Sequence, residues 1–212
     1  MNVLLAAGGP LAKWPELKEP YDFYVGIDRG SLFLQQKELP LDIAIGDFDS
    51  LNVQERENIF NSAKRVVTSP AEKDDTDTQL ALELILKEYP HANVTVVGST
   101  GGRIDHFLIN FWLVLEPRFR KYSQNIYLKD KQNSISFLLP GEHIISKETD
   151  KKYLAYCCLT PVSELTLAKS KYTLDKQEVS YPTSYASNEF IGDYAEISFS
   201  KGIIAVIQSK DA

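Results

Sequence analysis

The sequence contains few cysteines: two in 212 residues, and they are neighbours, Cys157 and Cys158. On a strand, adjacent side chains point to opposite faces. This pair is therefore neither a disulfide framework nor a metal-ligand pair, and it suits a reducing compartment, the cytoplasm. Long hydrophobic runs are also missing. The longest nearly continuous one, residues 107–115, is interrupted by Asn110, and a bilayer span needs about 20 residues. No transmembrane helix is expected. The opening residues lack the basic cluster of a secretory leader and read as a first strand running into a glycine turn.

Positive charge is in deficit, with 23 Lys and Arg against 29 Asp and Glu, a net charge of −6. Nucleic-acid binding rests on neutralising phosphates with a basic stripe. No such stripe is visible, so no nucleic-acid partner is expected. The G-x-x-x-x-G-K-[ST] phosphate loop is absent, which excludes an ordinary P-loop enzyme. Repeats and low-complexity tracts are absent as well. The remaining composition, 43% apolar and 25% charged, is that of an ordinary globular chain.

The acids that are present are unevenly spread. Asp28, Asp47, Asp49, Asp74, Asp75, Asp77 and Asp105 all lie in the first half, beside turn residues. That half alternates β-rich runs (2–6, 22–27, 42–45, 65–67, 93–97) with helical stretches (31–37, 76–87). Such alternation predicts a mainly parallel sheet covered by helices. From about residue 125 the period changes to short β runs (126–128, 134–139, 153–159, 164–167, 194–199, 203–207) separated by turn signals, which predicts an all-β sandwich. The expected division is an α/β domain over 1–122 and a β-sandwich over 123–212.

In an open α/β sheet, ligands sit beyond the carboxyl ends of the strands, and every notable motif of the first half falls at such an end. Gly46-Asp47-Phe48-Asp49-Ser50 carries two carboxylates at i and i+2, which an extended chain sends to one side, toward one hard cation. The alternative is a surface turn with a helix cap. Lys73-Asp74-Asp75-Thr76-Asp77-Thr78 precedes a helix. Asp74 and Asp77 would share a face of its first turn, although capping alone also favours Asp and Thr there. Gly98-Ser99-Thr100-Gly101-Gly102-Arg103-Ile104-Asp105-His106 joins a strand to a helix; its glycines and the helix N-terminus suit a phosphate, and Arg103 offers a forked donor. Phosphate-binding groups beside several carboxylates make electrostatic sense with a divalent metal between them. Because Mg²⁺ uses few carboxylates plus substrate phosphates, the expectation is a metal–nucleoside-triphosphate site.

Taken in order, these motifs resemble the thiamine pyrophosphokinase (thiamine diphosphokinase) family over nearly the whole chain. The resemblance comprises Ala7-Gly8-Gly9-Pro10, Asp28-Arg29-Gly30 in place of the common D-G-G, the Gly46–Ser50 and Lys73–Asp77 motifs, Gly101-Gly102-Arg103-x-Asp105-His106, and Ser187-Asn188-Glu189-Phe190. It implies transfer of pyrophosphate from ATP to thiamine, releasing AMP, in a homodimer whose site is shared between subunits. It implies catalytic roles for Asp47, Asp49, Asp74, Asp77 and Asp105, the first four also holding Mg²⁺. ATP would be bound by Asp28, Arg29, Gly30, Lys73, Thr76, Gly101, Gly102, Arg103 and His106, and thiamine by Ser187 and Asn188. Two departures stand out. Ser184-Tyr185-Ala186 replaces a common basic residue and glycine, and Ile203-Ile204-Ala205-Val206 supplies no aromatic to stack on thiamine. A pyrophosphokinase acting on a hydroxymethyl pterin, or a non-catalytic nucleotide- or thiamine-binding regulator, are the alternatives.

Overall fold

The computed structural model describes residues 1–18, 20–70 and 74–211. It divides into two compact units, Met1–Leu113 with Asn125–Lys131, and Val114–Gln124 with Gln132–Ala212.

In the first unit, β1 (Asn2–Ala6) is followed by β2 (Phe23–Ile27), α1 (Arg29–Gln36), β3 (Ile43–Gly46), α2 (Val53–Ser62) and β4 (Arg65–Thr68). Then come α3 (Asp77–Glu88), β5 (Asn93–Val97) and α4 (Ile104–Trp112), and later in the chain β6 (Ile126–Lys129). The strands stand in the order β6-β5-β1-β2-β3-β4, and every pairing is parallel. Because the strands run parallel and their loops cross over, all their carboxyl ends share one edge. The apolar runs Val-Leu-Leu-Ala of β1 and Val-Thr-Val-Val of β5 are buried, as a parallel sheet covered on both faces requires. Leu34 of α1 and Ile59 of α2 pack with Leu4, Tyr24, Ala44 and Phe48 in one apolar cluster. Residues 126–128, grouped by sequence with the β runs that follow, instead pair in parallel with β5. A short apolar run does not by itself specify its partner.

The second unit carries α5 (Pro117–Arg120), then β7 (Asn133–Leu138), β8 (Gly141–Ser146), β9 (Tyr153–Cys158), β10 (Val162–Ala168), β11 (Leu174–Val179), β12 (Thr183–Glu189), β13 (Tyr194–Phe199) and β14 (Ile204–Ser209). One sheet runs β12-β9-β14-β7 and the other β11-β10-β13-β8, with all pairings antiparallel. Inward residues Leu154, Tyr156, Leu165, Ile197 and Val206 form the core between them. This is the expected sandwich. Cys157 and Cys158 are both free, Cys158 facing the core with its thiol pushed up to about 11 by burial. Among the described residues, no helix is long and apolar enough to cross a membrane.

Candidate active site

The candidate residues of the first unit follow the carboxyl edge of the sheet, and neighbouring strand ends are tied together by specific contacts. At β1 and β5, the Gly9 N–H donates to the Gly98 carbonyl at 2.9 Å. A Cβ on Gly9 would stand 2.2 Å from that oxygen, so only glycine permits the approach. One on Gly30 would stand 1.9 Å from the Ala6 carbonyl oxygen, which brings the start of α1 against the end of β1. Asp28 closes the gap between β2 and β3: its Oδ1 accepts the Phe48 N–H at 3.0 Å. Arg29 donates through Nη2 to the Ser50 carbonyl at 2.6 Å. The Ser69 N–H donates to the Gly46 carbonyl at 3.0 Å, and the Ser69 Oγ–H to Asp77 Oδ1 at 2.8 Å. The edge is therefore continuous from β5 to the start of α3.

The acid turn differs from an extended strand. Phe48 has φ +57, and the Asp49 N–H donates to Asp47 Oδ1 at 3.0 Å, making an Asx-type turn. The Phe48 ring is 1% exposed and meets Phe60 edge-on at 5.1 Å, so the turn is anchored in the core while Asp49 stays exposed. At α3 the helix begins at Asp77, with Thr76 as its N-cap in a capping box with Gln79. Asp74 therefore precedes the helix and does not share a first-turn face with Asp77, because the cap ends the helix upstream. Lys73 lies outside the described residues. Among the described residues, no group of three or more His, Cys, Asp or Glu side chains is arranged to hold a metal ion.

In the glycine loop, Gly101 has φ +75, and a Cβ added at Gly102 would meet nothing within 4 Å. The backbone there is open to an incoming group. Arg103 donates to Asp105 through Nε at 3.1 Å and Nη2 at 2.5 Å. The pairing raises the guanidinium pKa and holds the Asp105 carboxyl below its usual range. The His106 N–H also donates to Asp105, and its side chain is exposed.

Two residues that lie against this loop escaped the sequence reading. Asp130, 7% exposed, accepts the Thr100 hydroxyl at 2.5 Å. It follows β6, so the strand-end rule would have found it had the parallel pairing of β6 been legible. Lys13 lies across Gly101: a Cβ there would be 2.5 Å from Lys13 Cδ and 3.3 Å from Nζ. No sequence signal links the two.

In the second unit, Ser187 and Asn188 lie on β12. Ser187 is exposed, with φ +59. Asn188 is 2% exposed, and its amide is fully engaged within the chain. Its Oδ1 accepts the Tyr172 and Glu189 N–H groups, each at 2.9 Å. Its Nδ2 donates to the Tyr172 carbonyl at 2.8 Å and to Ser170 Oγ at 3.2 Å. A primary amide has two donors and two acceptor sites, so the expected direct contact with thiamine is not one this side chain is poised to make. It clamps the backbone of Tyr172 instead.

Known proteins match this chain over both units. Residues 14–128 match the family described as thiamin pyrophosphokinase, catalytic domain, and residues 142–204 match thiamin pyrophosphokinase, vitamin B1 binding domain. A thiamine pyrophosphokinase of Bacillus subtilis is 36% identical over 215 residues, covering 99% of each chain. The crystal structure of a thiamin pyrophosphokinase family protein from Enterococcus faecalis superposes with a TM-score of 0.98 at 56% identity, covering both chains in full. That of the Bacillus subtilis enzyme gives 0.86 at 34% identity, again over both whole chains. On these matches the chain belongs to the thiamin pyrophosphokinase family.

Proposed function

We propose that this protein transfers the β,γ-pyrophosphoryl group of ATP to the hydroxyl of thiamine, giving thiamine diphosphate and AMP. The observation that carries the reading is the full-length match to a thiamine pyrophosphokinase, with the catalytic and vitamin B1 binding families each falling on its own part of the chain. The second of these families disfavours a pterin substrate.

In the mechanism we infer, the thiamine hydroxyl oxygen attacks the β-phosphorus in line, and the bond from that phosphorus to the α,β-bridging oxygen breaks as AMP leaves. Arg103 exchanges its carboxylate partner Asp105 for phosphate oxygens, and the open Gly101-Gly102 backbone supplies N–H donors. Lys13, beside Gly101, adds a further cation. Asp28 and Arg29 hold the acid turn, Gly30 brings α1 against β1, Thr76 caps α3, and Lys73 and His106 complete the nucleotide side. Asp77 or Asp105 accepts the hydroxyl proton as general base. Asp47, Asp49, Asp74 and Asp77 would hold Mg²⁺: the donor set is all hard oxygen, and Mg²⁺ uses few carboxylates together with substrate phosphates. When bound there, Mg²⁺ supplies charge neutralisation for the transferred group.

Thiamine carries a fixed positive charge, which an acidic site attracts. Ser187 is the polar contact we assign to it, with Asn188 acting through the Tyr172 backbone. We also propose a homodimer sharing this site. Its support is an exposed apolar set on α4: Ile104 at 75%, Trp112 at 50% and Ile109 at 38%. A cytoplasmic location suits the free cysteines and the ATP requirement.

The test is an assay of AMP and thiamine diphosphate from ATP and Mg²⁺, run with thiamine and with a hydroxymethyl pterin side by side. Product with thiamine alone is expected, and Asp49→Asn should cut it severely, to a low residual rate, without lowering the unfolding temperature. No AMP from the thiamine reaction would overturn the assignment.

A further inference from the structure

We propose that Asp28 is a positioning residue: it holds the Asp47-Phe48-Asp49 turn in place by accepting the Phe48 N–H from a strained backbone. The inference rests on reading that turn as part of the Mg²⁺–ATP site.

Asp28 has φ +45 and ψ −118, a combination that glycine adopts freely and other residues only at a cost. Such strain persists where the surroundings over-determine it. Here the Asp28 N–H donates to the Ile45 carbonyl at 3.0 Å, and its carbonyl accepts the Ser31 N–H at 3.0 Å. Both backbone groups are thus committed, one to β3 and one to α1. A glycine would relieve the strain and keep both bonds, so what the aspartate adds is its side chain. That side chain is directed at β3. Its Oδ1 reaches the Phe48 N–H at 3.0 Å, and a Cβ on Gly46 would stand 1.9 Å from this oxygen and 2.6 Å from Cγ.

Gly46 is therefore the vacancy that admits the Asp28 carboxylate. Phe48 is the one residue between the two acids. Its amide is held by Asp28, its ring by the core at 1% exposure, and its own φ of +57 sets the directions in which Asp47 and Asp49 leave it. Arg29 fixes the far end of the turn through the Ser50 carbonyl. Asp28 thus acts on the reaction through Asp47 and Asp49, as groups that orient metal ligands do.

The test compares Asp28→Gly with Asp28→Asn, each alone and in the Asp49→Asn background. Asp28→Gly removes the acceptor while relaxing the backbone. It is expected to lower kcat about 10–100-fold and to raise the Mg²⁺ concentration needed for half-maximal rate, with KM for ATP little changed. Asp28→Asn keeps an acceptor oxygen and tolerates positive φ, so it should recover most of that loss. Combined with Asp49→Asn, Asp28→Gly should cost little more, because the two act through one turn.

A second readout needs neither metal nor nucleotide. Hydrogen exchange of the Phe48 amide should be slow in the wild type and in Asp28→Asn, and fast in Asp28→Gly. Loss of rate in Asp28→Asn with the Phe48 amide still protected would overturn the proposal in favour of direct contact between the carboxylate and substrate. An unprotected Phe48 amide in the wild type would overturn it outright. Full activity in Asp49→Asn would instead fault the reading of the turn as a metal site, and the exchange data would still decide whether Asp28 holds it.

Discussion

Asn188 is buried, and its amide makes four hydrogen bonds inside the second unit. Truncation to alanine would leave the part-buried Tyr172 N–H and carbonyl without their partner. Orphaned buried groups cost roughly 1–3 kcal/mol each. Asn188→Ala is therefore expected to lower the urea midpoint clearly and to raise KM for thiamine as the Tyr172 backbone loosens. A raised KM at unchanged stability would identify the side chain as a direct ligand. The sequence pointed to Ser187 and Asn188 through resemblance, but a motif carries no information about which hydrogen bonds are already satisfied. In contrast, the glycines at 9, 30 and 46 stood in the sequence as turn and motif residues, with nothing to mark them as close approaches. That Gly46 makes room for a carboxylate 18 positions away is a tertiary fact, invisible until β2 and β3 lie side by side.

At the scale of elements, legibility followed burial. Strands with inward apolar residues, such as β1, β5, β9, β13 and β14, stand out in the sequence. The strands missing from that reading, β8, β11 and β12, are edges of their sheets, each with a single buried residue. Edge strands carry polar and charged residues that blunt edge-to-edge pairing, so their hydrophobic period is weak. Helix α2 was missed for the same reason: Ile59 is its one buried residue, and an Asn52–Glu55 capping box marks its start.

The ends of β9 and β14 also carry a pH response. Asp150 Oδ2 accepts Lys210 Nζ at 2.8 Å and Lys151 Nζ at 2.9 Å, and the two cations hold its carboxyl far below the ordinary value of 3.8. A depressed carboxyl pKa adds stability above the unfolded value, and that stability is lost as pH falls below it. The Asp150 side chain is 45% exposed, so screening keeps the effect near 0–1 kcal/mol per pair. The unfolding temperature of the wild type should exceed that of Asp150→Asn at pH 6, with the difference shrinking below about pH 4. A constant difference down to pH 2 would show that the pairing is not the cause.

For the whole molecule, the net charge of −6 and the exposed apolar residues of α4 pull in opposite directions. Charge favours separate chains, whereas contiguous exposed apolar surface marks an interaction site. Sedimentation of the proposed homodimer should give twice the chain mass, and Trp112→Glu should return it to the single-chain value with a loss of activity. A wild-type protein that is fully active at single-chain mass would refute the shared site.

The central place of β1 in the parallel sheet also governs how the protein is made. β1 emerges before the other strands of its sheet, yet the partner on one of its sides arrives late: Asn2 pairs with Asn93, 91 residues on. At about 5–20 residues per second, that edge waits roughly 5–20 s during synthesis. The wait then passes to β5, because β6 follows only after the chain has laid down residues 114–124 of the other unit. A nascent chain paused with only residues up to about 113 outside the ribosome would present the Asn-Val-Thr-Val-Val edge of β5 unpaired, a template for aggregation. Slow translation through this stretch should therefore lower the yield of folded protein even though no residue of the finished structure has changed.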